Sequence, residues 1–152
     1  MPKVYFVGCG PGDPDLITVK AKKLLQKADV VVYSGSLIPA QIMKICKKAK
    51  TFDAAKLVRE EIFDILKKNA KKGKNVVRLH DGDPTIYSTI REQMDNLHKE
   101  KINSEIIPGA FTSTLFLFNF LSKARFTTRI EKYLVVRVSS LTSPKVIFLI
   151  IS

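Results

Sequence analysis

Lys3 to Val7 is a short apolar run of β-branched and aromatic residues, and Gly8 stops it. The stretch that follows, Gly8-Cys9-Gly10-Pro11-Gly12-Asp13-Pro14-Asp15, can be neither helix nor strand, because Gly and Pro break both. A buried first strand running into a long glycine loop therefore opens the chain. Thr18 can then cap a helix to about Lys27, with Leu24, Leu25 and Ala28 facing inward. A buried strand is expected again at Val30–Tyr33, followed by a turn at Ser34-Gly35-Ser36. Pro39 suits the first turn of a short helix through Cys46.

The alternation continues. Lys56 to Lys72 reads as a long amphipathic helix with Leu57, Ile62, Ile65 and Leu66 as its apolar stripe, stopped by Gly73. Val76–Leu79 reads as a strand, His80-Asp81-Gly82-Asp83-Pro84 as a loop, and Ile86–Lys99 as a helix with Ile90, Met94 and Leu97 on one face. Ile106-Ile107 ends a strand at Pro108-Gly109. Strands and helices in this order predict an α/β domain with a mainly parallel sheet flanked by helices. In such sheets a ligand sits beyond the carboxyl ends of the strands. Three glycine-bearing loops fall there: 8–15, 80–84 and 108–110.

After Gly109 the character changes. Phe111, Phe116, Phe118 and Phe120 crowd a stretch that reads as a helix buried on all sides. Lys132–Val138 and Val146–Ile151 read as strands, the second a long apolar strand with nothing after it to cover it. The sequence thus reads as cut short: an α/β domain over 1–142 and, over 143–152, a stub of the first strand of a second domain. A fragment, a frameshifted gene and a split subunit that docks onto a separate domain all fit that reading.

Composition narrows the function classes. The 152 residues are 45% hydrophobic and 26% charged, which excludes a disordered chain or a collagen-like fibre. Cys9 and Cys46 lie far apart, read as reduced thiols of a cytoplasmic protein. With no C-x-x-C pair and two His, no metal site is expected, and His80 has no second ligand near it. The N-terminal run is too short for a signal core, and no stretch reaches the ~20 apolar residues of a membrane span. Lys and Arg number 26 against 14 Asp and Glu, a net +12, which points to an acidic partner: nucleic acid, an anionic membrane or a polyanionic small molecule. The aromatic residues cluster with aliphatics instead of alternating with Lys and Arg, which argues against base-stacking platforms.

Several glycine-loop chemistries fail on local tests. Val-Gly-Cys-Gly-Pro-Gly is similar to the first motif of Rossmann-type methyltransferases, but no acidic residue precedes it, and Val32-Tyr33-Ser34 offers no carboxylate for ribose hydroxyls. Asp13 stands where G-x-G-x-x-G needs its third Gly, and no Walker loop is present.

The fuller string Gly8-Cys9-Gly10-Pro11-Gly12-Asp13-Pro14-Asp15-Leu16-Ile17-Thr18 is far more specific. It resembles the N-terminal signature of the tetrapyrrole methylases, which methylate corrin precursors and uroporphyrinogen. Arg78-Leu79-His80-Asp81-Gly82-Asp83-Pro84-Thr85-Ile86-Tyr87 resembles the family's Gly-Asp-Pro loop, and Ile107-Pro108-Gly109 its Val-Pro-Gly turn. Ala28 to Pro39 and Arg91-Glu92-Gln93-Met94 resemble the branch that acts on precorrin-4 or cobalt-precorrin-4 at carbon 11. The match is strong over 3–109 and weak to about Thr142.

The resemblance implies the N-terminal domain of an S-adenosylmethionine-dependent C-methyltransferase, with the cofactor bent in a cleft between two α/β domains and held mostly by backbone. It implies cofactor contacts at Pro11, Asp81, Gly82, Asp83, Ile86, Phe111 and Thr112, with Phe111 standing where the family usually has Ser or Thr. Gly12, Asp13 and Asp15 fall in the loop that faces the tetrapyrrole, an anionic substrate that a +12 protein would attract. No catalytic side chain is implied, since the electron-rich macrocycle supplies the nucleophile. A homodimer or other self-association is also expected, because the apolar C-terminal segment would be left open. The residues alone leave other roles open. Asp13 and Asp15 are common in Pro-Gly turns, Asp83 before Pro84 can cap a helix, and Cys9 can be a packing residue.

Overall fold

A computed structural model describes residues 2–87, 90–110, 132–140 and 143–151. For residues 36, 86 and 87 and the last two segments, only the backbone is described. The backbone divides into two compact units, Met1–Phe118 and Asn119–Ser152.

The first unit is a parallel sheet with helices on both faces. Its strands are β1 (Lys3–Gly8), β2 (Val30–Tyr33), β3 (Lys50–Asp53), β4 (Val76–His80) and β5 (Asn103–Ile107), ordered β3-β2-β4-β1-β5. Every pairing is parallel. The helices are α1 (Val19–Lys27), α2 (Ala40–Met43), α3 (Arg59–Lys71), α4 (Pro84–Tyr87) and α5 (Ile90–Lys99). The apolar runs of β1 and β2, and of β4 apart from Arg78 and His80, suit strands covered on both sides.

Alternation along each strand separates two cores. Val7, Val31, Val77, Leu79 and Ile107 meet Ala21 and Leu25 of α1 and Ile42 of α2. Val4, Phe6, Val30, Val32 and Val76 meet Ile62, Leu66 and Ala70 of α3 and Ile90 and Leu97 of α5. Each large apolar side chain so buried stabilises the fold by about 1.5–3 kcal/mol.

Local signals explain the boundaries. Thr18 caps α1 by accepting the Ala21 N–H at 3.3 Å. The Glu61 carboxylate accepts the Val58 N–H at 3.0 Å, closing the start of α3. At its end Gly73 adopts φ +74, and Gly73 N–H and Lys74 N–H reach back to Ala70 O and Asn69 O.

Several expectations need correction. α3 starts at Arg59, not Lys56, because Ala54–Lys56 forms a 3-10 turn. Leu57 therefore packs beside the helix instead of on its stripe. The Ser34-Gly35-Ser36 turn is followed into a 3-10 segment at Gly35–Leu37, and the short helix after Pro39 tightens to 3-10 geometry at Lys44–Cys46. Of the helix expected over Ile86–Lys99, the described residues are helical at Pro84–Tyr87 and Ile90–Lys99, with 88 and 89 outside the described residues. The strand β3 has no counterpart in the sequence reading.

The second unit contains β6 (Lys132–Ser140) and β7 (Ser143–Ile151), paired antiparallel from Ser140↔Ser143 to Lys132↔Ile151. The expected terminal strand without a partner is thus paired along its length. A short connection is all that an antiparallel neighbour requires. The Phe-rich stretch 111–120 lies outside the described residues. Among the described residues no helix is long and apolar enough to cross a membrane.

Candidate functional site

The order β4-β1-β5 sets three carboxyl ends side by side. Gly8 is in register with His80, and Val7 with Ile107. The three glycine loops must therefore leave the sheet as neighbours, and they meet. Gly10 N–H donates to Gly82 O at 3.1 Å, and Gly82 N–H to Gly10 O at 2.9 Å, an antiparallel bridge between the first and second loops. Cys9 N–H donates to His80 O at 2.9 Å just below it.

The third loop closes on the same point. A Cβ on Gly109 would lie 2.0 Å from Gly82 O and 2.9 Å from Gly10 N, so backbone packs there where a side chain would stand. Gly82 itself has φ +56, a conformation that L residues with side chains adopt with strain. The junction is a floor of main chain.

The polar residues around it separate by role. Asp13 is exposed, and its Oδ1 accepts the Asp15 N–H at 2.9 Å. Asp83 is partly buried, and its Oδ1 accepts Thr85 N–H at 2.9 Å and Thr85 Oγ1–H at 2.8 Å. Both carboxylates thus hold their own turns, as turn and cap chemistry predicts. Asp15, Asp81 and Pro11 are exposed on the loops. Gly12 is buried against Pro39, whose Cγ lies 2.6 Å from where a Cβ would be. Ile86 lies on α4 next to the second loop, with its side chain outside the described residues. Phe111 and Thr112 also lie outside them.

Sequence reasoning did not single out Arg78. This residue is buried midway along β4, 6% exposed. Its Nη1 donates to Val32 O at 3.2 Å, Leu79 O at 3.2 Å and Ser34 Oγ at 3.3 Å. Burial lowers its pKa to about 10, opposed by the charge of Asp81, so it stays cationic at neutral pH. His80 is buried as well, with its ring against Phe6 at 6.3 Å. Burial, then the Arg78 charge, pushes its pKa down to about 3, so the imidazole is neutral. Cys9 is buried in the α1 core, and burial, then Asp81, pushes its thiol up to about 11, which makes it a packing residue and not a nucleophile.

Among the described residues no group of His, Cys, Asp and Glu could hold a metal ion. A groove of about 320 Å³ lies on the flank of α1, lined by Pro14, Asp15, Ile17, Val19, Lys22, Lys23 and Gln26, away from the glycine junction.

The sequence model of the family described as Tetrapyrrole (Corrin/Porphyrin) Methylases matches residues 3–117, all five parallel strands included. The chain belongs to the tetrapyrrole methylases. It is 48% identical over 126 residues to the cobalt-precorrin-4 C(11)-methyltransferase of Methanocaldococcus jannaschii, a span covering 82% of this chain and 48% of that protein. It is 42% identical over 106 residues to the precorrin-4 C(11)-methyltransferase of Pseudomonas aeruginosa, covering 70% and 42%.

Among solved structures, the X-ray structure of the cobalamin biosynthetic enzyme cobalt precorrin-4 methyltransferase aligns with a TM-score of 0.71 at 38% identity, over 94% of this chain and 60% of that one. A uroporphyrin-III C-methyltransferase from Thermus thermophilus, complexed with S-adenosylhomocysteine, aligns with a TM-score of 0.63 at 35% identity, over 74% and 46%. This methylase chain spans about half the length of the relatives it matches.

Proposed function

We propose that this chain carries the cofactor-binding loops of an S-adenosylmethionine-dependent C-methyltransferase that acts on carbon 11 of precorrin-4 or cobalt-precorrin-4. The observation that carries this reading is the junction of Gly8, Gly10, Gly82 and Gly109, where main chain from three loops packs against main chain at the carboxyl ends of β1, β4 and β5. The names of the similar proteins support the substrate class, and the Thermus thermophilus complex supports the cofactor class.

The residues present fit such a cofactor. The glycines let the three loops pack main chain to main chain, which brings the polar residues of the first two loops to one edge of the sheet. Pro11 and Gly12 border it from the first loop. Asp81 and Asp83 stand on the second, and Asp83 keeps Oδ2 outside the bonds to Thr85. These carboxylates favour a ligand bearing an amino group and a sulfonium. Ile86, Phe111 and Thr112 complete the proposed cofactor contacts, while Gly12, Asp13 and Asp15 face the tetrapyrrole.

When bound, S-adenosylmethionine supplies an electrophilic methyl group, and the reduced tetrapyrrole supplies the carbon nucleophile. The protein's part is alignment, which lowers a barrier by roughly 7–11 kcal/mol in favourable cases. This accords with a site of backbone and turns in which the one nearby thiol, Cys9, is protonated and buried. Lys22, Lys23 and Lys27 of α1, with no acidic residue on that helix and with Lys20 already paired to Glu105, favour approach of a polycarboxylate substrate.

Self-association in the cytoplasm belongs to the same proposal. The exposed apolar side chains Leu16, Val19 and Leu37 support it, and sedimentation at micromolar concentration measures it. Calorimetric titration with S-adenosylhomocysteine tests the cofactor assignment. Gly82→Val should lose binding at least tenfold, and equal binding by this variant would show that the loop is misassigned.

A further inference from the structure

Arg78 is a cation in the middle strand of a five-stranded sheet, and its nearest described neighbours along β4 are Val76, Val77 and Leu79. No carboxylate lies within ion-pair distance of it among the described residues, and its Nε has no hydrogen-bond partner. Burying such a group is costly, and an apolar side chain of similar volume would serve packing at least as well. What an apolar residue could not do is bond across strands. Nη1 gathers Val32 O and Ser34 Oγ from the end of β2 and Leu79 O from the end of β4. Ser34 Oγ–H donates to the same Leu79 O at 3.4 Å. Leu79, the acceptor they share, lies one residue before His80 and two before Asp81, where the strand gives way to the loop that bears Gly82.

We propose that Arg78 is a positioning residue: its guanidinium ties the carboxyl ends of β2 and β4 together and thereby fixes the angle at which the His80–Pro84 loop presents Gly82 to Gly10 and Gly109. The Gly10–Gly82 bridge is the readout of that angle, because both of its hydrogen bonds, at 3.1 and 2.9 Å, depend on where the loop leaves the sheet. A loose loop would close the backbone floor or tilt it, at no cost to the two apolar cores, whose residues lie on either side of the sheet. The consequence for ligand binding rests on the function proposed above, whereas the positioning of the loop does not.

The test combines amide hydrogen exchange with S-adenosylhomocysteine titration on the whole chain, comparing the parent with Arg78→Met and Arg78→Lys. In Arg78→Met the amides of Gly10 and Gly82 should exchange at least tenfold faster, while those of the β1–β5 ladder keep the parent rate. Arg78→Lys, which keeps a charge and a donor but loses the planar fork, should fall between. Affinity for S-adenosylhomocysteine should drop about tenfold in Arg78→Met and less in Arg78→Lys. Parent-like protection of Gly10 and Gly82 in Arg78→Met overturns the proposal, as does an equal loss of protection across every strand. If Arg78→Met does not fold, parent-like protection in Arg78→Lys overturns it instead. A parent chain that does not bind S-adenosylhomocysteine refutes the proposed function, and the exchange rates still decide the role of Arg78.

Discussion

On the face covered by α1 and α2 the sheet presents Val7, Val31, Val77, Leu79 and Ile107, all apolar. On the face covered by α3 and α5 it presents Val4, Phe6, Val30, Val32 and Val76, but β4 adds Arg78 and His80, the two buried polar residues of the described chain. The outer surfaces differ in the opposite sense. α1 carries Lys20, Lys22, Lys23 and Lys27 with no acid of its own, and of these Lys20 pairs with Glu105 of β5. α3 and α5 mix charges and pair some of them, as in Arg59–Glu92, with Lys67 and Lys71 of α3 also reaching Glu100 just beyond α5. The first face is a plain hydrophobic core under a basic surface. The second puts polarity inside, at the one end of the sheet where the glycine loops meet. Both faces bury large apolar side chains, and the buried polarity lies on one of them.

That contrast breaks if the two cores do not cost the same. Leu25 and Leu66 are fully buried, one on each face. Leu25→Ala and Leu66→Ala should each lose about 2–5 kcal/mol. Urea unfolding reads both, and a large difference between them would mean that one face carries most of the fold.

Gly109→Ala acts on the junction instead of the cores. The added methyl faces Gly82 O across 2.0 Å of space, and the listener on the other side is backbone that cannot rotate away. The expected destabilisation is about 1–3 kcal/mol, with hydrogen exchange speeding up first at Gly10 and Gly82. Uniform loss of protection over all strands would place the effect in the sheet.

His80 sharpens the comparison through pH. Its folded pKa of about 3 lies below the ordinary histidine value of 6.5, so between these values the unfolded chain binds the extra proton. Stability should therefore fall as pH drops from 6.5 toward 3, with His80 contributing a slope of up to about 1.4 kcal/mol per pH unit. His80→Leu should flatten that part of the curve. An unchanged slope in chemical denaturation between pH 6.5 and 4 would show that His80 is solvated.

Much of this was legible in the sequence because it is local. The runs Val4–Val7, Val30–Tyr33 and, Arg78 apart, Val76–Leu79 are apolar at successive positions, as strands covered on both faces must be, and Gly and Pro mark the loops between them. β3 escaped notice because Lys50 and Thr51 are exposed at the sheet edge and Phe52 is its one large apolar residue, so neither period shows. The proposed site residues were chosen by their loops, yet the work of Asp13 and Asp83 in their own turns follows from geometry. Arg78 was invisible for a different reason. Its acceptors on Val32 and Ser34 lie on another strand, and nothing in Val76-Val77-Arg78-Leu79 distinguishes a buried cation from one facing solvent.

The central claim is that ligand binds where the three glycine loops meet. Titrating S-adenosylhomocysteine into the isotope-labelled chain and following its backbone amide resonances tests this most directly. The largest shifts should fall on Gly8–Gly12, His80–Asp83 and Gly109–Ala110, with little change along β3 or the outer turns of α3. Shifts centred instead on the groove of Pro14, Ile17, Lys22 and Gln26, or no shifts at millimolar ligand, would contradict the account.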